Sequence, residues 1–185
     1  MELEITKVKL TKSGMLEVNY KDEDNNEITL KGSNPVHKDL KDALNKLVPY
    51  LAELTEQKEA EKIDYKHICC EKNEKLLKNL MVTGVTISGG DTYEGCTIIG
   101  KRTLQTSKVL NLIAPNTGFD PDQEQYERCE DLRDVVNELL YEAELYITEK
   151  KWSVAQKEID FDNPDDPFAG GGDKTESPNP DEVAA

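Results

Sequence analysis

Apolar and polar residues alternate over residues 2–12, which is typical of a β-strand that buries one face. The alternation breaks once, because Leu3 and Ile5 fall on one face whereas Val8 and Leu10 fall on the other. A bulge or bend would return all four side chains to a single buried face. The pattern therefore predicts a strand with an irregularity near its middle.

Two further strands are predicted to complete an antiparallel meander. Residues 15–21 alternate without a break, and a polar five-residue turn leads to residues 27–31, where Ile28 and Leu30 point inward. The glycine- and proline-containing segment 32–35 is predicted to end this part of the sheet.

A helix is predicted next, because the apolar residues of segment 40–54 recur at helical spacing. Pro49 lies inside this run, where it removes a backbone donor and crowds the preceding turn. We therefore expect a kink or two abutting helices. The charged segment 58–79 that follows is predicted to be a partly helical connector.

The second half of the chain repeats this order. Apolar and threonine positions of the first strand match a later segment at one fixed offset: Leu3, Ile5, Thr6, Val8 and Leu10 match Leu80, Val82, Thr83, Val85 and Ile87. Later matches follow at larger offsets, and the offset grows only where loops would lie. The phase break also recurs, near Lys7 in one half and Gly84 in the other. The pattern predicts two diverged copies of one strand–strand–strand–helix unit.

The remaining elements of the second half follow from the same signals. Strands are predicted at residues 95–102 and 108–114. The run Asp120-Pro121-Asp122 is typical of a helix start. The long helix after it would bury an apolar stripe made of Tyr126, Cys129, Leu132, Val136, Leu139, Ala143 and Tyr146.

The predicted fold class is α+β, with an internally duplicated β-β-β-α unit. We expect antiparallel sheet or sheets with two long helices on one side, while the other face stays open or meets a partner. Residues 1–158 would form one pseudo-symmetric globular domain, with repeat A at about 2–57, connector 58–79 and repeat B at 80–152. Residues 159–185 would form a disordered acidic C-terminal tail that is dispensable for folding.

The charge is strongly acidic and unevenly distributed. The net charge of the 185 residues is −15. Residues 158–185 hold nine acidic residues and one lysine, a net of −8, so the preceding body carries −7. An acidic body argues against tight, sequence-blind binding of duplex DNA, which relies on a basic surface. A locally positive groove remains compatible with this total.

No catalytic, metal or cofactor motif is found in the sequence, so we expect a protein that is not an enzyme and has no cofactor. His67-Ile68-Cys69-Cys70 contains zinc-ligand residue types, but no second cluster completes a four-ligand set. The glycines near Ser88 lack the lysine and helix of a phosphate loop. The chain start lacks the features of a signal peptide. The spacing of the four cysteines is not that of a disulfide framework, which favours a reducing cytoplasm with free thiols.

The outward sheet face is the candidate binding surface. Basic residues interleaved with aromatic ones are typical of single-stranded nucleic-acid binding, because charge follows the backbone and rings stack on bases. The candidate DNA-binding residues are Lys7, Lys9, Tyr20, Lys21, Lys31, Tyr93, Lys101, Arg102 and Lys108. The alternative is a solvated surface, since Glu17 and Glu27 lie among the lysines.

The tail supplies a resemblance. Segment 159–168 alternates acidic with large apolar residues, and its candidate partner-binding residues are Phe161, Asp165, Asp166 and Phe168. It resembles the acidic, phenylalanine-bearing tails of bacterial and phage single-stranded-DNA-binding proteins. That resemblance implies a tail that recruits replication and recombination proteins and competes with DNA. In those families the phenylalanine ends the chain, whereas here the chain continues to Ala185.

The predicted body differs from the five-stranded barrel of most such proteins and is similar in topology to the Whirly-type single-stranded-DNA-binding fold. Our first hypothesis is therefore a phage-type single-stranded-DNA-binding protein that acts in the host cytoplasm. The alternative is an acidic protein-binding module, either a structural subunit or a DNA-mimicking inhibitor of a host enzyme. The sequence leaves open the oligomeric state, including a homo-oligomer.

Overall fold

The computed structural model describes residues 3–90 and 93–151, and it describes the side chains of all these residues except 90 and 93. This part of the chain is α+β. Its strands are β1 (Glu4–Leu10), β2 (Met15–Lys21), β3 (Glu27–Pro35), β4 (Leu80–Gly90), β5 (Tyr93–Thr103), β6 (Val109–Ile113) and β7 (Thr117–Gly118). Its helices are α1 (Lys38–Lys46), α2 (Val48–Leu54), α3 (Glu71–Leu77) and α4 (Cys129–Thr148), with 3₁₀ turns at Ala60–Lys62 and Tyr65–His67.

The strands form one antiparallel sheet with the order β3-β2-β1-β4-β5-β6, and the short β7 also pairs with β5. Strands β1 and β4 meet at the centre, where Val8 lies opposite Val85. Each half therefore contributes a three-stranded meander that starts at the centre and runs outward. The shared descent of the two halves stays a prediction, because strand order alone does not test it.

The predicted irregularity of the first strand is confirmed, and so is its recurrence in the second half. The pairing register of β1 with β2 shifts between Ile5 and Lys7. The register of β4 with β5 shifts between Val82 and Gly84. In both strands the shift keeps the apolar residues before and after it on the same buried face.

The helices cover one face of this sheet. Helices α1 and α2 contact β4, α2 also contacts β5, α4 contacts β1, and α1 packs along α4. None of the described helices combines the length and the apolar character needed to cross a membrane. The core lies between the sheet and the helices, and its fully buried aliphatic side chains include Val8, Leu16, Val18, Leu40, Leu47, Leu51, Val85, Ile98, Leu132 and Leu139.

The expected interruption at Pro49 is also confirmed. The apolar residues of segment 40–54 fall on two consecutive helices rather than on one. Helix α1 ends at Lys46 and α2 begins at Val48, which places Pro49 in the first turn of α2. At that position the missing N–H has no intrahelical acceptor to lose.

Two predicted boundaries were wrong. Strand β3 does not end before Gly32 but continues to Pro35, which lies opposite Met15. Because β3 is an edge strand, the missing donor of Pro35 breaks no ladder on its outer side. Helix α4 begins at Cys129 rather than at Asp120. The Asp120 carboxylate instead accepts the backbone N–H of Asp122 at 2.9 Å and closes a local turn.

Candidate nucleic-acid interface

We call the sheet surface opposite the helices the outer face. Directly opposite residues of paired strands share a face, so the register assigns each side chain. One row of neighbours crosses all six main strands, in the order Lys31, Glu17, Lys9, Gly84, Ile99 and Ile113. A second row is polar and runs through Thr29, Asn19, Lys7, Thr86 and Thr97.

Two shorter rows flank these. Glu27, Lys21 and Glu4 lie side by side near one end of the first meander. Met81, Lys101 and Asn111 lie side by side in the second. Among the described strand residues, the outer face thus carries five lysines against three glutamates, a net of about +2 on a body whose net charge is −7. The outer face is therefore the positive side of an acidic body.

Most of these lysines have no counter-ion among the residues that the structure describes. Lys21 pairs with Glu4 at 2.9 Å, and the hydrogen bond that the Lys21 ammonium donates to the Glu4 carboxylate raises the pKa of Lys21. Within residues 3–90 and 93–151, no ion pair joins Lys7, Lys9 or Lys101 to a carboxylate. The same holds in that range for the exposed Lys31, although Glu17 lies across from it.

The predicted placement of Arg102 on the outer face was wrong. Arg102 lies opposite Leu80 and Leu110, in a row that faces the helices. Its guanidinium donates two hydrogen bonds to Glu59, at 2.8 and 2.7 Å, and one to Gln57 at 2.7 Å. The contact with Glu59 raises the pKa of Arg102 and keeps the side chain engaged away from the lysine rows.

The predicted role of Tyr20 on the outer face is contradicted in the same way. Tyr20 lies between Ile5 and Ile28 in neighbouring strands and packs against the core. Its ring is therefore unavailable for stacking on a base at the outer face. Lys108 is exposed in the turn between β5 and β6, where its carbonyl accepts the N–H of Leu104 at 2.8 Å.

The side chains of the remaining predicted residues lie outside the part of the chain that the structure describes. The side chain of Tyr93 lies outside the described residues. So do the four predicted partner-binding residues of the tail: Phe161, Asp165, Asp166 and Phe168.

Sequence reasoning missed several exposed apolar side chains in the second meander. On the outer face, Ile113 is 68% exposed, Val109 56% and Met81 48%. The sequence carries a signal for exposed apolar residues here, because the strand at residues 109–113 has apolar side chains on both of its faces around a central asparagine. A solvated strand at the sheet edge ordinarily carries polar side chains on its open face.

A second polar cluster lies on the helix side and also escaped sequence reasoning. One oxygen of Glu53 accepts hydrogen bonds from the hydroxyls of Tyr65 and Tyr126, both at 2.6 Å. The guanidinium of Arg128 lies 3.8 Å from the centre of the Tyr65 ring. Burial, followed by the hydrogen bond to Glu53, raises the pKa values of Tyr65 and Tyr126, so both phenols stay protonated and act as donors.

This cluster is a clamp rather than a reaction centre. It joins α2, the connector and the segment before α4 through a single carboxylate. The neighbouring Tyr50 is fully buried, and burial raises its pKa to about 12. Phenols in that state are poor general bases at neutral pH.

A groove of about 810 Å³ lies between α1, α3 and α4. Its walls mix lysines with carboxylates, including the ion pair of Lys46 with Glu138, and Cys69 is exposed at its rim. Within the part of the chain that the structure describes, no group of three or more His, Cys, Asp or Glu side chains is arranged to hold a metal ion. The outer face is therefore the better developed candidate surface.

The chain was compared with known families, curated proteins and solved structures. No protein family, no curated protein and no solved structure matches the chain. The protein is defined by its architecture, an antiparallel sheet with helices on one face and a lysine-bearing outer face.

Proposed function

We propose that the protein is a non-enzymatic single-stranded-DNA-binding protein, and that the outer face is its binding surface. The observation that supports this proposal is a set of lysines on a positive face of an acidic body that form no ion pair with any described carboxylate: Lys7, Lys9, Lys31 and Lys101. Lysine ammonium groups recognise phosphates as point charges and need no particular base sequence.

The spacing of these lysines suits a polyanion that crosses the strands. Neighbouring strands lie about 4.8 Å apart and alternate residues of one strand about 7 Å apart. Lys9 and Lys31 are two strands apart, while Lys7 and Lys9 are alternate residues of β1. A single-stranded backbone could therefore meet several ammonium groups in succession, with Ile99 and Ile113 offering apolar contact to the bases.

The finer elements of the proposal come from the sequence. The acidic segment 159–185 is proposed to compete with DNA and to recruit replication or recombination proteins through the region of Phe161 and Phe168. The two meanders are proposed to be diverged copies that place lysines on both halves of one surface. A phage origin and action in a host cytoplasm are proposed with this function.

Fluorescence anisotropy on a labelled oligo-dT would test the proposal, at about 50 and about 200 mM salt. We expect binding that weakens steeply with salt. The triple variant Lys7→Glu, Lys9→Glu and Lys101→Glu should bind at least about tenfold more weakly at the lower salt, because like charges repel the phosphates.

The matched control carries the same charge change away from the outer face, as Lys41→Glu, Lys58→Glu and Lys72→Glu. These three lysines are exposed on α1, after α2 and on α3. The control should retain most of the affinity. Equal loss in both triple variants, or no binding by the wild-type chain at low salt, would contradict the proposal.

The alternative is an acidic protein-binding module, and a specific observation favours it. Val109 and Ile113 are exposed apolar side chains on the edge strand β6, where a partner protein can pair with the sheet. Failure of oligo-dT binding at low salt would make this module, as a structural subunit or a DNA-mimicking inhibitor, the leading proposal.

A further inference from the structure

Strand β6 forms an open edge of the sheet. Among residues 3–90 and 93–151, it pairs only with β5. The N–H of Ala114 donates to the carbonyl of Ile98 at 2.9 Å, which fixes the phase of the ladder. Because hydrogen-bonded pairs alternate along an antiparallel ladder, Val109, Asn111 and Ile113 direct both backbone groups away from β5.

The two edges of the sheet differ in how they are protected. Strand β3 carries Glu27 and Lys31 and ends on Pro35, which are features that discourage pairing with another strand. Strand β6 has the sequence Val-Leu-Asn-Leu-Ile, without charge or proline. Its exposed side chains leave it suited to pair with a further strand.

We propose that β6 pairs with β6 of a second copy of the chain, antiparallel and around a two-fold axis at Asn111. The strand is palindromic in character about that residue. Val109 would face Ile113 of the second copy, and Leu110 would face Leu112 of the second copy. Each facing pair among residues 109, 111 and 113 exchanges two backbone hydrogen bonds.

The chain selects this register over its neighbours. A shift of the pairing by two residues in one direction places Lys108 opposite Leu112, so that a charged side chain faces an apolar one. A shift in the other direction brings Pro115 into the ladder, where it has no N–H to donate. In the central register all facing pairs are apolar or amide, and they cover the 68% exposed Ile113 with Val109.

The pairing would make one continuous sheet across two copies. The two-fold axis runs perpendicular to the sheet, so both outer faces lie on the same side. Lys101, Asn111 and the same two residues of the second copy would form a single row. The dimer is argued from the edge alone and does not rest on DNA binding.

Analytical ultracentrifugation of the full-length chain tests the dimer directly. The mass is measured from about 1 to about 100 µM, because association depends on protomer concentration. We expect twice the 20.8 kDa mass of the chain at the upper end. Ile113→Lys should sediment as a monomer, because it opposes charge to Val109 of the second copy. Thr29→Lys, an exposed outer-face position on the other edge, should leave the dimer intact.

Cross-linking decides the outcome if Ile113→Lys fails to fold. In a background with Cys69→Ser and Cys70→Ser, Asn111→Cys should give a covalent dimer with a short bismaleimide, and Thr29→Cys should not. A wild-type chain that stays monomeric throughout the range would overturn the proposal. So would a dimer that tolerates Ile113→Lys and is not cross-linked through Asn111→Cys.

Discussion

Arg102 and Glu59 form a bidentate ion pair, in which the guanidinium donates one hydrogen bond to each carboxylate oxygen at 2.8 and 2.7 Å. Each side chain is 22% exposed. The pair joins β5 to the residues just before the first 3₁₀ turn. Bidentate pairs of this kind are stronger and more directional than ordinary surface ion pairs.

Arg102→Leu should therefore destabilise the fold by about 1–3 kcal/mol, because charge-assisted hydrogen bonds are lost and Glu59 loses its counter-ion. Urea unfolding at neutral pH measures this change. The neighbouring Lys101→Ala, on the outer face, should alter the free energy of unfolding by less than about 0.5 kcal/mol. Equal losses in the two variants would contradict the assignment of Arg102 to the helix side.

The same ion pair predicts a pH dependence. The hydrogen bond from Arg102 lowers the pKa of Glu59 below its ordinary value of 4.5. A depressed carboxyl pKa adds stability that is complete above the unfolded pKa and is lost as pH falls through the folded pKa. The stability difference between wild type and Glu59→Gln should thus be constant above pH 4.5 and shrink below it. A difference that grows on acidification would contradict this.

The Glu53 clamp gives a further stability prediction. Tyr126→Phe should cost about 1 kcal/mol, because one of the two phenol hydrogen bonds to Glu53 is lost. Glu53→Leu should cost more, about 2–4 kcal/mol, since both phenols lose their acceptor and Arg128 loses the carboxylate that lies 3.5 Å from its Nε. Tyr141→Phe is the control, because Tyr141 is 59% exposed. Chemical unfolding of the variants should follow this order.

Gly100 allows α2 to pack closely on β5. A Cβ atom at this position would overlap the Leu51 side chain and lie 2.6 Å from the carbonyl oxygen of Met81. Gly100→Ala should therefore destabilise by about 1–3 kcal/mol. Gly14→Ala meets no neighbouring atom and is strained only by its φ of +74°, so its cost should be about 1 kcal/mol. Thermal melts that rank these variants in reverse would contradict the packing argument.

The strands were predictable because their signal is local. The phase break in β1 and β4 follows from the alternation of apolar residues alone, and the structure has a register shift at both places. The same alternation, applied strictly, excludes Tyr20 from the outer face, because Leu16 and Val18 share its side of β2. It also shows that Lys101 and Arg102, as adjacent residues, point to opposite faces.

The start of α4 and the clamp were not predictable because contacts distant in sequence decide them. Asp120 and Pro121 carry a local helix-start signal, yet the segment after them is held by Tyr126 on Glu53, which lies 73 residues away. Periodicity carries no information on such a pair. The lysines of the outer face were predicted from the sequence, whereas the net charge of that face follows only when the rows of both meanders are placed side by side.

The proposed DNA binding predicts an inhibitory role for the acidic segment. Residues 158–185 carry a net of −8. A polyanion tethered to the same molecule competes with DNA at high effective concentration. Truncation after Glu158 should therefore tighten binding to oligo-dT at low salt, and the gain should shrink as salt screens both interactions.

A second variant of the full-length protein separates the effect of the segment's charge from the effect of its length. In it, the acidic residues of segment 159–185 are replaced by their amides, Asn or Gln, so that the segment keeps its length. It should bind as tightly as the truncated protein if charge is the cause.

In the background of Lys7→Glu, Lys9→Glu and Lys101→Glu, truncation should change little, because the segment no longer has a basic surface to occupy. Each phosphate contact contributes about −0.7 to the logarithmic salt slope for a single strand, so the triple variant should also show a shallower slope. If truncation and neutralisation both leave the affinity unchanged and the charge reversals do nothing, the lysines are ordinary solvated surface, and the protein-binding module takes precedence.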